Sequence, residues 1–259
     1  MPQPAADTRR LVLAGTFNVR HVGGYRTADG AVLADRLLWR GDALHALDDD
    51  GRRTLAELGL RTIVDLREDA ERDQRPNLVD GLGVRVVALP LYAGARLEPG
   101  PELDAMRAGD LTGMYRRIIA GHGPQIAATI TELARPGALP ALVHCSAGKD
   151  RTGIVIALLL SALGVADDDV VADFALTEQY LDDTFMATVR AAFAGAETMP
   201  DRVHRGADPT WMLAALAAAR ESHADVAAYL VAHGLDPAAL EALRAALTSG
   251  PTAARGGAR

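Results

Sequence analysis

One stretch near the middle of the chain restricts the fold more than any other. An apolar run at residues 141–143 predicts a buried strand, and a second run at residues 154–160 predicts a buried helix. The ten residues between them read His-Cys-Ser-Ala-Gly-Lys-Asp-Arg-Thr-Gly. A strand, a short loop with a glycine and a helix N-terminus form an anion site, because backbone N–H groups converge there and the helix end carries roughly half a positive charge. The sequence therefore predicts an anion-binding loop that connects a strand to a helix.

Two residues of this loop turn the anion site into a reaction site. Cys145 is the only cysteine of the chain, and Arg151 follows it by six residues. A helix N-terminus and nearby cations favour the thiolate, which is the nucleophilic form of cysteine. An arginine offers a planar pair of donors that matches two phosphoryl oxygens. We expect Cys145 to attack phosphorus and form a phosphocysteine, which water then hydrolyses, while Thr152 donates a hydrogen bond to the departing sulfur.

The order His-Cys-x5-Arg-Thr-Gly at residues 144–153 resembles the signature of the cysteine-dependent protein tyrosine phosphatase superfamily. The five residues between the cysteine and the arginine, Ser-Ala-Gly-Lys-Asp, are similar to those of the bacterial branch of mycobacterial tyrosine phosphatase B and its fungal relatives. An Asn-x-Arg-x-x-Gly-Gly element at residues 18–24 and an Arg-Gly pair at residues 40–41 also match, although His21 stands where the family usually has an aspartate. The resemblance implies a hydrolase that acts on phosphotyrosine proteins, with dual specificity, or on phosphoinositides.

The resemblance also implies roles along the loop. Cys145 and Arg151 are the catalytic pair, and the remaining residues bind the phosphate: Ser146, Ala147, Gly148, Lys149, Thr152 and Gly153. We interpret His144 as a residue that hydrogen-bonds the backbone and orients Cys145. Lys149 either binds a second phosphate, as on an inositol ring, or adds positive potential, and its place on the crest of the loop favours the substrate role.

The acid that protonates the leaving group is harder to assign. The better-known tyrosine phosphatases carry it on a Trp-Pro-Asp loop upstream of the cysteine, which this chain lacks; Met199-Pro200-Asp201 lies downstream, and we interpret it as a coincidence. Asp150, in the loop itself, is the first candidate, by similarity to phosphoinositide phosphatases with an Asp-Arg-Thr sequence. Asp65, which ends a predicted strand near Arg67, is the second. A structural ion pair with an arginine is an equally good interpretation of Asp65.

Composition narrows the function and the location. The 259 residues carry a formal net charge of −7 and no block of lysine and arginine, which argues against a nucleic-acid partner. A single cysteine excludes an intramolecular disulfide, and the histidines show no metal-ligand spacing, so we expect neither a metal nor another cofactor. The first ten residues lack the apolar core of a signal peptide, and the apolar run at residues 154–166 is too short to span a bilayer. We expect a cytoplasmic protein without stable membrane insertion, whose oligomeric state stays open.

Alternating strands and helices predict the fold class. We expect strands at residues 11–15, 61–67, 84–89 and 141–143, and a hairpin around Asp29-Gly30. Helices are expected at residues 48–58, 102–108, 111–120, 124–134, 154–160, 167–176, 182–194, 210–220, 224–233 and 237–247. This order predicts an α/β fold, with a mainly parallel sheet, helices on both faces and a helix-rich C-terminal third. Sites in such sheets lie beyond the carboxyl ends of the strands, where Cys145, Asp65 and Arg67 are placed.

We predict a single phosphatase domain over residues 1–259. Residues 1–10 are expected to form a loose leader, residues 93–102 and 195–207 loops, and residues 249–259 a disordered tail. Residues 167–207 either cover the site or pack only on the sheet, and residues 208–248 add the C-terminal helices.

Three other functions fit the loop less well. Gly148-Lys149 is followed by an aspartate rather than by serine or threonine, which excludes a Walker-type nucleotide loop. A rhodanese-like sulfurtransferase also uses a cysteine loop, but Arg-Thr-Gly leading into a helix favours phosphate. A catalytically silent phosphate-binding module is the non-enzyme alternative, and turnover of an aryl phosphate would separate it from an enzyme.

Overall fold

A single mixed sheet lies at the centre of the computed structural model, which describes residues 9–91, 100–192 and 199–248. Its strands are β1 (Arg20–His21), β2 (Leu38–Gly41), β3 (Thr62–Asp65), β4 (Arg85–Ala88) and β5 (Ala141–His144), in the order β1-β2-β5-β3-β4. β1 runs antiparallel to β2, and all other neighbours are parallel. In this register Gly41 and Asp65 both lie level with His144. The carboxyl ends of three strands therefore meet beside the loop that follows β5.

Helices surround this sheet. In the described part of the chain they are α1 (Asp49–Glu57), α2 (Asp69–Gln74), α3 (Pro101–Arg107), α4 (Thr112–Leu133), α5 (Asp150–Ala162), α6 (Asp167–Tyr180), α7 (Asp183–Ala192), α8 (Asp201–Arg205), α9 (Pro209–Arg220), α10 (Val226–Ala232) and α11 (Pro237–Thr248). Three short connections, at residues 206–208, 221–225 and 233–236, join α8 to α11.

Both faces of β2, β3 and β5 are buried, whereas β4, at one edge of the sheet, is largely exposed. Successive residues of each strand point to opposite faces. On one side Ile63 and Leu142 pack with Leu55 of α1 in a smaller apolar cluster. On the other side Val64 and Val143 belong to a large cluster that includes α4, α5 and the C-terminal helices. Burial on both sides explains why the strands read as continuous apolar runs. The predicted α/β class, with helices on both faces and a helix-rich C-terminal third, is confirmed.

Several element predictions need correction. The strand predicted at residues 11–15 is wrong, because the chain turns there: Gly15 has φ +85° and a Cβ atom on it would lie 1.9 Å from the carbonyl oxygen of Ala46. Two predicted helices join as α4, with a kink at His122, ahead of Pro124. α8 lies inside a predicted loop, and α2 was not predicted. The predicted hairpin is confirmed, since the N–H group of residue 33 donates to the carbonyl of residue 25 at 2.9 Å.

The structure does not describe residues 1–8, 92–99, 193–198 and 249–259. The predicted tail therefore lies outside the described residues, as do most of the predicted leader, most of the predicted loop at residues 93–102 and part of the predicted helical cover. None of the described helices combines the length and the apolar character needed to cross a bilayer.

Candidate active site

The loop between β5 and α5 is held in place through its carbonyl groups. Each carbonyl from residue 145 to residue 149 accepts a hydrogen bond, and the donors, in order, are His144 Nδ1 (3.1 Å), Ala43 N (3.1 Å), Asn18 Nδ2 (2.9 Å), Arg40 Nη2 (2.9 Å) and Gly153 N (2.8 Å). The backbone N–H groups of residues 146–149, in contrast, donate to no group in the part of the chain that the structure describes. Four amide donors are thus left to bind an anion, as the sequence predicts for this loop.

Gly148 allows the loop to approach the neighbouring strand. Its φ is +66°, in the left-handed region, and a Cβ atom on it would lie 2.5 Å from the carbonyl carbon and oxygen of Gly41. Gly41 is the last residue of β2. A larger residue at position 148 would therefore force the loop away from the sheet edge that positions it.

A buried charge network supports the loop from below. Arg40 on β2 donates to Asp173 Oδ2 at 2.6 Å through Nη1, while its Nη2 binds the Gly148 carbonyl. Arg20 on β1 donates to Asp173 Oδ1 at 3.3 Å. Burial lowers the pKa of Arg40 to about 10, with a contribution from neighbouring Arg20. Burial alone would raise the pKa of Asp173, but the two arginines outweigh it, and the pKa lies well below its ordinary value. α6 is therefore tied to the loop through a carboxylate that stays charged.

Cys145 lies at the base of the loop with 3% of its surface exposed. Thr152, in the first turn of α5, is fully buried, and its hydroxyl has no hydrogen-bond partner among the described residues. The predicted hydrogen bond from Thr152 to the Cys145 sulfur is therefore not formed in this structure. Gly153 is buried and donates to the Lys149 carbonyl, which starts the helix.

Arg151 is bound by a glutamate that the sequence analysis did not identify. Its Nη1 and Nη2 donate to the two carboxylate oxygens of Glu71, at 2.6 and 2.9 Å, and the Ser146 hydroxyl binds the same carboxylate. Burial alone would raise the pKa of Glu71, but Arg151 and the Ser146 hydroxyl lower it to about 2. Arg151 Nε has no partner among the described residues. The pair fixes the guanidinium and leaves one donor edge for a phosphoryl oxygen.

Asp150, the first residue of α5, faces the cleft with 25% of its side chain exposed. Tyr115 on α4 donates to Asp150 Oδ1 at 2.8 Å, and Lys149 Nζ lies 3.5 Å from the same oxygen. Burial and the Asp150 carboxylate raise the pKa of Tyr115, so its phenol keeps the proton that it donates. Oδ1 is thus held by two groups, while Oδ2 has no partner among the described residues.

Lys149 does not extend along the cleft. It is 1% exposed, its ammonium donates to the Val203 carbonyl on α8 at 2.5 Å, and it lies 5.6 Å from the ring centre of Trp211. Burial lowers the pKa of Lys149, although Asp150 opposes the shift. These contacts connect the loop to the C-terminal helices and leave the ammonium engaged by protein groups.

Asp65 lies at the end of β3, fully buried, and its carboxylate is already bound. Arg67 donates to both of its oxygens, at 2.7 Å from Nη2 to Oδ2 and 3.0 Å from Nε to Oδ1, and Asn77 Nδ2 donates to Oδ2 at 2.9 Å. His144 Nε2 lies 3.5 Å from the same Oδ2. Burial alone would raise the pKa of Asp65, but the hydrogen bonds from Arg67 and the nearby positive groups lower it overall. This arrangement matches the structural ion pair that the sequence left as the alternative to an acid.

His144 is fully buried between these groups. Burial lowers its pKa, so the ring is neutral, and Nδ1 carries the proton that it donates to the Cys145 carbonyl. Nε2 is then an acceptor, and Asn77 Nδ2 lies 3.1 Å from it. The chain from Asp65 through Asn77 to His144 fixes the backbone of Cys145.

A cleft of about 530 Å³ opens above the loop. Its walls come from the turn at residues 15–17, the segment at residues 42–46, α2, the loop itself, α7 and α8. Phe17 and Phe185 meet edge to face in this cleft, with their ring centres 5.5 Å apart. Two of the helices in the predicted cover, α7 and α8, thus line the cleft, while α6 carries Asp173 of the network below the loop.

Several residues of this site were not predicted from the sequence, among them Glu71, Asp42, Tyr115, Asn77 and Asp173. Asp42 follows β2, and its two oxygens accept hydrogen bonds from the backbone N–H groups of residues 17 and 18 at 2.9 and 2.8 Å. Burial raises the pKa of Asp42 to about 6, although those N–H groups oppose the shift. Of these residues, only Glu71 lies in a recognisable sequence pattern, the Glu68-x-x-Glu71 spacing that forms a capping box at the start of α2.

The fold and the loop geometry can now be set beside known proteins. A profile of the tyrosine phosphatase family matches residues 11–249. The chain belongs to the tyrosine phosphatase family. Its members are phosphatases, and this chain is an enzyme of that kind, a hydrolase that removes phosphate groups.

Individual relatives agree with the family assignment. The chain is similar to the triple specificity protein phosphatase PtpB of Mycobacterium tuberculosis, with 33% identity over 188 residues that cover 62% of this chain and 67% of that protein. It is 32% identical to a putative tyrosine-protein phosphatase of Cupriavidus necator, over 71% of this chain and 68% of the relative. A tyrosine-protein phosphatase of Nostoc commune is 30% identical over 59% of this chain, which spans about half of its length (51%). The crystal structure of TpbA from P. aeruginosa aligns with a TM-score of 0.36 and 19% identity over 74% of this chain and 96% of that one, a likeness too low to bear on the function.

Proposed function

We propose that this phosphatase hydrolyses phosphotyrosine in proteins through a phosphocysteine on Cys145. The observation that carries the proposal is the state of the loop at residues 145–151. The carbonyl groups of residues 145–149 are all engaged by protein donors, while the amides of residues 146–149 donate to nothing among the described residues. Such amides, together with Arg151 Nε, suit the equatorial oxygens of a phosphoryl group.

In the first step the Cys145 thiolate attacks phosphorus, an S–P bond forms, and the P–O bond to the leaving group breaks. Asp150 Oδ2 gives its proton to the departing oxygen. In the second step a water molecule attacks phosphorus, Asp150 takes one proton from that water, and the S–P bond breaks to return the thiolate and release phosphate. Helix α5 points its N-terminus at this centre and stabilises the negative charge in both steps.

The walls of the cleft favour an aromatic phosphate ester. Phe17 and Phe185 present two rings beside the loop, which suits the ring of a phosphotyrosine. A phosphoinositide was the alternative, and it relied on Lys149 as a ligand for a second phosphate. The Lys149 ammonium is instead bound by Val203 and Asp150, so this argument loses its support. Because α7 and α8 line the cleft, we include the described part of residues 167–207 in the proposal as a cover that excludes water.

The proposal is tested by turnover of p-nitrophenyl phosphate and of phosphotyrosine, phosphoserine and phosphoinositide substrates by the purified protein. We expect Cys145→Ser to abolish turnover. Arg151→Lys should lower kcat/KM at least hundredfold, because lysine cannot replace the planar donors and charged hydrogen bonds contribute about 1.5–3 kcal/mol each. Binding of a phosphotyrosine peptide without any turnover by the wild-type protein would contradict the proposal and favour a silent phosphate-binding module.

A further inference from the structure

Arg75 lines the cleft without a partner in the part of the chain that the structure describes. Arg75 follows the last residue of α2, its side chain is exposed, and it lines the cleft. Its guanidinium makes no hydrogen bond or ion pair with any residue that the structure describes. We propose that Arg75 forms a second anion-binding subsite, which binds an acidic side chain of the substrate close to the phosphotyrosine. This inference rests on the proposed function of the same cleft.

The carboxylates of the cleft do not neutralise Arg75, because each is already bound elsewhere. Their partners are Arg151 for Glu71, the backbone N–H groups of residues 17 and 18 for Asp42, and Tyr115 with Lys149 for Asp150. Arg67, another arginine that lines the cleft, is bound by Asp65. An anion that enters the cleft beside Arg75 therefore meets an uncompensated positive charge.

A hydrogen bond to its carbonyl group fixes the backbone of Arg75. Arg67 Nη1 donates to the Arg75 carbonyl at 2.7 Å, which holds the end of α2 against the buried Asp65 group. His45 also lines the cleft, and burial, followed by the charges of Arg75 and Arg67, lowers its pKa. The charge of Arg75 thus acts on a group inside the cleft, and that group stays neutral.

The helix sets the distance between the two anion sites. Glu71 binds Arg151 at the reaction centre, and Arg75, the residue after the end of α2, follows it by four positions. The N–H group of Arg75 still donates to the Glu71 carbonyl at 3.1 Å, so the two residues keep the spacing of one helical turn. Side chains four residues apart on a helix lie about 5–6 Å from each other at Cβ. An extended peptide advances about 3.3 Å per residue. An acidic residue one or two positions from the phosphotyrosine can therefore reach Arg75 while the phosphate contacts Arg151.

The two phenylalanine rings of the cleft favour a phosphotyrosine peptide over a polyphosphorylated inositol ring as the ligand. Phe17 and Phe185 suit the ring of a tyrosine, and an inositol ring offers no aromatic face to them. We therefore assign the subsite to an acidic side chain beside a phosphotyrosine.

The test compares two peptides that differ only in charge, one with Glu-phosphotyrosine-Glu and one with Gln-phosphotyrosine-Gln at the same positions. The wild-type protein should favour the acidic peptide in kcat/KM by roughly fivefold, the amount expected of an exposed ion pair of about 1 kcal/mol. Arg75→Gln should reduce this ratio to near one. Arg53→Gln is the matched control, because Arg53 is exposed on α1 and pairs with Asp50 away from the cleft, so the ratio should remain that of the wild type.

The outcomes separate the subsite from the proposed function. If the wild-type protein hydrolyses both peptides with equal kcat/KM, or if Arg75→Gln keeps the preference, the subsite is refuted while the proposed function stands. If Arg75→Gln lowers turnover of a soluble inositol bisphosphate and leaves the peptide ratio unchanged, the assignment to an acidic peptide is overturned. If neither peptide is hydrolysed by the wild-type protein, the proposed function fails and the subsite fails with it.

Discussion

At the scale of single residues, two aspartates that look alike in the sequence occupy opposite environments. Asp150 is partly exposed to the cleft and has one oxygen without a partner among the described residues, whereas Asp65 is fully buried and bound by Arg67 and Asn77. We expect Asp150→Asn to slow an alkyl phosphate by about a hundredfold or more and p-nitrophenyl phosphate by much less, because a good leaving group needs little protonation. Steady-state kinetics with the two esters measures this difference.

Asp65→Asn is the matched comparison for Asp150→Asn. It should leave the ratio between the two esters unchanged and lower the free energy of unfolding by about 3–5 kcal/mol, because Arg67 would stay buried without its counter-charge. The roles would be reversed, with Asp65 as the acid, if Asp150→Asn slowed both esters equally and Asp65→Asn selectively slowed turnover of the alkyl ester.

Glu71 makes a second prediction at this scale. Its pKa is about 2 in the folded protein and 4.5 ordinarily, since Arg151 and Ser146 outweigh burial. A lowered folded pKa means that the carboxylate contributes its stability in full above pH 4.5 and loses it as the pH falls toward 2. The difference in Tm between the wild-type protein and Glu71→Gln should therefore be constant from about pH 5 to pH 8 and vanish in strong acid. A difference that persists unchanged in strong acid would show that the ion pair with Arg151 is not its source.

At the scale of elements, the loop depends on its fit against β2. Gly148 and Gly30 both have left-handed backbone angles, φ +66° and +88°, but only Gly148 has neighbours where a side chain would be. Gly30→Ala should therefore cost about 1–2 kcal/mol of stability from the backbone alone and leave activity intact. Gly148→Ala should add the clash with Gly41 and lower kcat at least hundredfold, because displaced amides no longer match the phosphoryl oxygens. Urea unfolding and turnover, measured for both variants, test this; equal effects of the two substitutions would contradict it.

Element boundaries show where local sequence carries enough information. The run at residues 141–160 predicts strand, loop and helix correctly, because apolar periodicity and the glycine are local signals. α2 was missed, since its six residues carry no apolar face and are not buried. The capping box at its N-terminus was the one local sequence pattern that indicated this helix. Because α2 was not predicted, Glu71 was not predicted either.

At the scale of the whole molecule, the site depends on contacts between distant parts of the chain. Asn18 binds the carbonyl of Ala147 from 129 residues away, and Arg20 binds Asp173 across 153 residues. A single sequence predicts such pairs only through a family resemblance, which pointed to residues 18–24 and 40–41 without giving their partners. Lys149 shows the limit of position alone: the crest of the loop suggested substrate, while packing against Trp211 and α8 takes the side chain elsewhere.

The most direct test of the account is to trap the covalent intermediate. The wild-type protein is mixed with a phosphotyrosine peptide, quenched in acid within the first turnover and digested, and the peptide that contains residue 145 is examined by mass spectrometry. We predict a phosphate on Cys145 that forms and decays at rates compatible with kcat, and none in Cys145→Ser, which should also be inactive. Full turnover by Cys145→Ser, or turnover by the wild-type protein without phosphate on Cys145 at any quench time, would contradict the central claim.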